Sequence, residues 1–128
     1  MKQENIKIKK LKFYCHQFDF PKFVYSMTFG NVNNGIVEIC LECYDVIQIL
    51  NIQENDYLEF CKNISSLTKD WKHRYKADSD ILDGQEWLLS ILFDNNKRTY
   101  YKGDITEPDN FEQVKNYIKN FYENVTMV

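Results

Sequence analysis

Glycine and histidine are scarce in this chain, and each shortage closes off a kind of chemistry. Four glycines, at positions 30, 35, 84 and 103, leave little scope for a Gly-rich loop that cradles phosphate. Two histidines, His16 and His73, restrict nucleophilic catalysis, which needs a base within reach of a thiol or hydroxyl. His16 adjoins Cys15, but neighbours on a strand point apart. His73 lies about three helical turns beyond Cys61 and reads as a solvated partner of a helix end. No convergent catalytic set is visible, so no enzymatic activity and no cofactor are expected.

Long apolar runs are missing as well. The stretch Met1 to Asn5 leads into a Lys/Ile alternation, with no secretory segment and no bilayer span. The expected compartment is the cytoplasm, where Cys15, Cys40, Cys43 and Cys61 would be reduced thiols. Cys40-x-x-Cys43 has metal-ligand spacing but lies in an alternating segment, where residues three apart face opposite ways. Only Cys15-His16 could complete a zinc site, and no metal is expected. The acidic stretch from Asp78 to Gly84 misses a calcium loop by one position. Leu82 stands where a third carboxylate belongs, and Leu89 where the closing Glu would be.

A basic excess is also absent. The formal charge is −3, which argues against a general nucleic-acid binder. Yet residues 1–12 hold five lysines against one glutamate, so the rest of the chain is more acidic than the whole. Lysines in that pattern suit an outer strand, where they block pairing with another sheet.

Aromatic side chains are plentiful: nine Phe, nine Tyr and two Trp in 128 residues. They promise a rich core, and the tyrosines could also serve recognition. With 44% hydrophobic and 27% charged residues and no linker or repeat, the chain reads as one globular domain over 1–128.

Alternation gives the first elements. Ile6 and Ile8 alternate with lysines, then Leu11, Phe13 and Cys15 continue in the opposite phase, which marks a bulge near Lys9-Lys10. Phe23, Tyr25, Met27 and Phe29 form a second strand. Asn34-Gly35 suits a tight hairpin turn, and Val37, Ile39, Leu41 and Cys43 return from it. Tyr44 to Leu50 either extends that strand or makes a short separate one. A helix is then predicted from an Asn51 cap with Glu54 closing a capping box. Its apolar face runs through Tyr57, Phe60, Cys61, Ile64, Leu67, Trp71 and Tyr75. Glu54, Asp56 and Glu59 sit early while Lys69, Lys72, His73, Arg74 and Lys76 sit late, as the helix dipole favours.

The second half centres on Asp83-Gly84 and the strand that follows, whose Trp87, Leu89, Ile91 and Phe93 share one face. A turn at Asp94 to Lys97 leads to Arg98–Lys102 as hairpin partner. A last helix is predicted from Asp109 as N-cap, with Glu112 completing a capping box. The expected fold is α+β, an antiparallel sheet of about five strands with two helices on one face. Asp83-Gly84 and Trp87 read as a hinge directing one strand beneath the helices, with Trp71 and Phe111 as core partners.

Trp71 and Tyr75, then Asp83, Gly84, Trp87 and Leu89, then Gly103, Pro108, Asn110 and Phe111 fall in the spacing W…Y…DGxxWxL…G…PxNF. This half resembles small uncharacterised proteins of low-GC bacteria and their mobile elements. The chain departs from their pattern at Ile105, where Asn is usual, and at Glu107, where Tyr is usual. The resemblance implies a shared fold and carries no activity. Gly103 would serve a strand end needing unusual φ, and Pro108 and Asn110 would fix the start of the helix.

Arg98, Tyr100 and Lys102 share a strand face and interleave cations with an aromatic ring, the make-up of a contact surface. Tyr101 takes the opposite face, so one of the two tyrosines is expected in the core and the other on the surface; an exposed Tyr100 would be the leading contact residue. The function expected is a non-enzymatic cytoplasmic protein-binding module of a bacterium or mobile element; an inhibitor of a defence nuclease is one form of it. The alternative is an accessory protein touching nucleic acid through Lys7–Lys12 and Arg98–Lys102. A small enzyme with a site near Asp80, Asp83 and Tyr101 comes third.

Overall fold

The computed structural model describes residues 7–16, 23–43, 46–75, 86–104 and 107–126. Asp83, Gly84, the acidic stretch before them and the departure at Ile105 lie outside the described residues. Seven strands and two helices follow in the order β1 (Ile8–His16), β2 (Phe23–Asn33), β3 (Ile36–Cys43), β4 (Val46–Gln53), α1 (Glu54–Thr68), β5 (Arg74–Tyr75), β6 (Glu86–Phe93), β7 (Arg98–Asp104) and α2 (Phe111–Thr126). They make one sheet of order β4-β3-β2-β1-β6-β7-β5. The α+β class is as expected. The sheet is larger than about five strands, and it is mixed, because β5 runs parallel to β7.

The predicted bulge is present: pairing of β1 with β6 slips between Ile8 and Lys10. The slip leaves the Ile8 backbone to be satisfied by α1. Tyr57 Oη donates to the Ile8 carbonyl at 2.7 Å, and Ile8 N–H points at Cys61 Sγ at 3.4 Å. These two side chains are four apart on one helical face, so they fix the helix against the strand at a single point. The Asn34-Gly35 turn also forms, with both residues at positive φ (55° and 75°) as a tight hairpin of this hand requires.

Other boundaries differ from the sequence pattern. Strand β4 pairs with β3 through to Gln53↔Ile36, so Asn51 is in a ladder and cannot cap a helix. The helix starts at Glu54 without a side-chain cap, and Glu54 N–H donates instead to the Gly35 carbonyl at 2.8 Å. Helix α1 ends at Thr68, so Lys69, Lys72, His73 and Arg74 lie beyond it and no basic residue occupies its last turn; Lys76 lies outside the described residues. Trp71 and Tyr75 reach the core from the segment after the helix. His73 is not a helix-end partner: its ring stacks on Tyr101 with centroids 5.4 Å apart, and its Nδ1 lies 3.0 Å from the Tyr100 carbonyl. Helix α2 begins at Phe111, not beside an Asp109 cap.

One face of the sheet carries the core. Leu11, Phe13 and Cys15 of β1 meet Met27 of β2, Ile39 and Leu41 of β3, and Trp87, Leu89 and Ile91 of β6. Phe60 and Ile64 of α1 with Phe111, Val114 and Ile118 of α2 close it from above. Two aromatic groups dominate. Phe60 stacks on Phe121 at 4.0 Å, near Phe29 and Tyr117. At the other end Trp87 lies 5.6 Å from Trp71, 4.9 Å from Phe111 and 5.7 Å from Tyr75.

Gly103 lies beside that second group. It sits inside β7, paired with Trp87 on one side and Tyr75 on the other. Its φ is not in the left-handed region, and it lies in register between Trp87 and Tyr75, whose ring centroids are 5.7 Å apart. Asn110 completes the corner. Trp71 Nε1 donates to its Oδ1 at 2.7 Å, and its Nδ2 donates to the Leu67 carbonyl at 2.7 Å.

Replacing Trp87 with Ala is expected to cost about 3–5 kcal/mol by emptying the corner, read as a lowered urea midpoint. Asn110→Ala strands the indole N–H and a helix-end carbonyl together. A loss of about 1–3 kcal/mol is expected; an unchanged midpoint would mean that the two bonds carry no stability.

Candidate binding face

Among the described residues no helix covers the second face of the sheet, and the residues of this open face follow from strand register. Lys10, Leu92 and Arg98 lie side by side across β1, β6 and β7. Lys12, Ser90 and Tyr100 form the next row. Tyr14, Leu88, Lys102 and Arg74 form the third, with Arg74 reached through the parallel pairing of β5. Strand β1 is thus a central strand between β2 and β6, not an outer one. Its lysines do not guard an edge; Lys10 and Lys12 join the cations of β7 on one surface.

Lys10, Lys12, Arg74, Arg98 and Lys102 are all exposed. Among the described residues none of the five pairs with a carboxylate; the ion pair recorded is Lys115 with Glu112 on α2. Tyr100 stands among them at 47% exposure. Arg98 Nη1 donates to Tyr100 Oη at 3.0 Å, and Arg98 Cζ lies 5.8 Å from the ring centroid. This contact holds the ring beside a fixed charge, at the outer limit of a cation–π interaction. Tyr101, one residue on, packs edge-on to Trp71 at 5.5 Å, so the two tyrosines divide between surface and core as the alternation predicts.

Arg98, Tyr100 and Lys102 border a shallow groove of about 710 Å³, with Leu88, His73 and Arg74 completing its wall. Acidic groups bound the basic area. Glu42 of β3 lies two strands from Lys12 along the same row, and Glu86 stands at the start of β6. The open face is therefore polarised, basic over β1, β6, β7 and β5 and acidic over β3.

A second hollow, about 400 Å³, opens at the bulge between Lys7, Lys9, Asn31, Tyr57 and Asp94. Its floor is already hydrogen-bonded: Tyr57 is spent on Ile8. Burial pushes the Tyr57 phenol well above its ordinary range, with the Cys61 thiol beside it adding to the effect. Burial likewise raises the thiols of Cys61 and Cys15, which keeps both protonated and poorly nucleophilic. Cys15 faces the core while Cys40 faces the open side, so the sheet itself separates them. Among the described residues no group of three or more His, Cys, Asp or Glu could hold a metal ion. No helix among them is long and apolar enough to cross a membrane.

The rows of the binding face depend on β1 pairing with β6, which no local pattern announces. Arg74 was legible only as a helix-end cation. The single available signal was phase: Lys10 and Lys12 oppose Leu11 and Phe13, as Arg98, Tyr100 and Lys102 oppose Tyr101. No family model, no curated protein and no solved structure matches this chain.

The buried thiols and phenols fix a pH dependence. Cys15, Cys61, Tyr57, Tyr101 and Tyr117 all hold their protons more tightly folded than unfolded, chiefly through burial. Their contribution is whole below pH 9.0, where unfolded thiols also stay protonated, and is lost as pH rises through the raised folded values. The urea midpoint is expected to decline steadily once pH exceeds 9.0; a midpoint that climbs there would contradict the sign.

Proposed function

We propose that this chain is a non-enzymatic binding module, and that the basic half of its open sheet face engages the acidic surface of a protein partner. The observation that carries the reading is the set of five cations, without carboxylate partners among the described residues, around exposed Tyr100. Cations left unpaired on an acidic protein steer and orient an oppositely charged surface. Tyr100 supplies rigid contact area at the centre, the role tyrosine takes in interface anchors. Leu88 and Leu92, half-buried between the charged rows, add apolar area beside it. On the likeness to proteins of low-GC bacteria and their mobile elements, the partner belongs to a bacterial cytoplasm or to such an element.

A single-stranded nucleic acid is the second reading, favoured by Tyr100 standing between Arg98 and Lys102 with Lys12 in its own row. Exposed aromatics flanked by cations stack bases and hold phosphates. Against it, Glu42 and Glu86 close the basic area on two sides and would repel a backbone tracking further. A short basic island fits a folded acidic patch better than an extended polyanion.

The experiment compares wild type with R98E/K102E, both substitutions lying on the exposed face. A stoichiometric protein recovered by wild type and lost by R98E/K102E, with thermal stability unchanged, is the expected result. Tyr100→Ala should weaken that complex by about 2 kcal/mol or more, as an interface anchor does. Tight, salt-dependent binding of an unstructured oligonucleotide by wild type alone would favour the second reading. A partner retained by R98E/K102E removes this face from the account.

A further inference from the structure

The two edges of the sheet are built differently. At one edge β5 is two residues long and carries Arg74. At the other, β4 runs for eight residues, Val-Ile-Gln-Ile-Leu-Asn-Ile-Gln, and pairs with β3 without a single slip. Among the described residues no strand lies beyond it. Natural sheets blunt such an edge with charge, proline, a bulge or extreme shortness. Strand β4 has none of these. It also leaves apolar side chains in water: Val46 is 57% exposed, Ile47 63% and Ile49 65%, on both faces of the sheet. The other exposed large hydrophobic side chain among the described residues is Tyr100, to a smaller degree. The edge thus combines a free ladder with uncovered apolar area.

We propose that β4 pairs antiparallel with β4 of a second copy of this chain, about a two-fold axis perpendicular to the sheet. Such an axis keeps the open faces of both copies on the same side, so residues directly opposite must share a face. Only registers of even sum satisfy this, and they can be compared. With Gln48 opposite its twin, Ile47 meets the partner's Ile49 on the open face, and Val46 meets the partner's Leu50 on the helix face. All three exposed apolar side chains then fall against apolar ones, and the glutamines exchange amide hydrogen bonds across the axis. A shift of two residues one way sets Ile47 against the partner's Asn51 and Gln48 against the partner's Leu50, and the other way sets Val46 against the partner's Gln48. The strand is therefore complementary to itself in one register.

Charge allows the same arrangement. Strand β4 carries no charge, so two copies meet without repulsion at the seam. Among the described residues the nearest charges on the open face are Glu38 and Glu42, one strand behind. Across the seam the two β3 strands stand three strand spacings apart, roughly 14 Å, beyond the screening length of about 8 Å at physiological salt. A foreign strand would need its own apolar pattern to match; a second copy already has it. The basic half of the open face lies at the other end of the sheet and stays uncovered, so this pairing is independent of the function proposed above.

The test is sedimentation of the full chain over a wide concentration range, with a variant and a cross-link. Wild type is expected to pass from monomer to dimer as concentration rises and to stop there. I47K/I49K, whose side chains are already exposed, should remain monomeric throughout with the same melting temperature. Gln48→Cys should form an intermolecular disulfide under mild oxidation that neither wild type nor Asn51→Cys forms, because position 48 alone faces itself. A wild type that stays monomeric, a dimer indifferent to I47K/I49K, or growth past the dimer without limit would each overturn the proposal. Equal cross-linking by the cysteine variants at 48 and 51 would overturn the register.

Discussion

Asn110 holds the two halves of the molecule in one geometry. Its amide donates to the last turn of α1 at Leu67, its oxygen receives the Trp71 indole, and its own carbonyl accepts Val114 N–H in the first turn of α2. One residue thereby joins the end of the first helix, the start of the second and the indole between them, its side chain holding Leu67 and Trp71 and its backbone carbonyl holding Val114. Trp71 turned that way lies against Trp87, Phe111 and Tyr101, and the segment after it drops beside β7 as a parallel strand. A polar group seldom enters an aromatic cluster unless each hydrogen bond is satisfied, and here each is. The sharpness of the turn from α1 to β5 rests on that satisfaction.

Period-two patterning read the first three strands well because each has one wet face and one dry face. The bulge near Lys9-Lys10, the Asn34-Gly35 turn and the division of Tyr100 from Tyr101 all follow from phase alone. The helix starts were misread because a side chain suited to capping stood nearby in sequence without standing at the helix end. Asn51 belongs to a ladder and cannot cap α1, and α2 starts at Phe111, so Asn110 and not Asp109 stands at its entry. The run from Tyr57 to Tyr75 kept a helical spacing although the chain leaves the helix at Thr68; the aromatic residues beyond it reach the same core from a different backbone. Spacing records which residues are buried, not which element delivers them.

The hairpins β2–β3 and β6–β7 were legible, but the pairing that joins the two halves of the sheet was not. Alternation says that β1 is half-buried, and a lysine-rich first strand invites an outer position. Its two neighbours are β2 and β6, the second more than seventy residues away. The binding face exists only because of that distant pairing, which sets Lys12 in line with Tyr100. The residues nominated from the sequence, Arg98, Tyr100 and Lys102, do share a surface; the surface itself is assembled by topology.

The strand order also prescribes a sequence of events during folding. Strands β1 to β4 are neighbours in the chain and in the sheet, so they can zip together while the rest of the polypeptide is still unformed. One side of β1 must then wait for β6, across a loop whose closure costs entropy that local contacts do not recover. Until that happens the central strand of the finished protein is an open border. The most deeply enclosed backbone in the native state is therefore among the last to be enclosed, and the slow step of folding lies at the middle of the sheet, not at its rim.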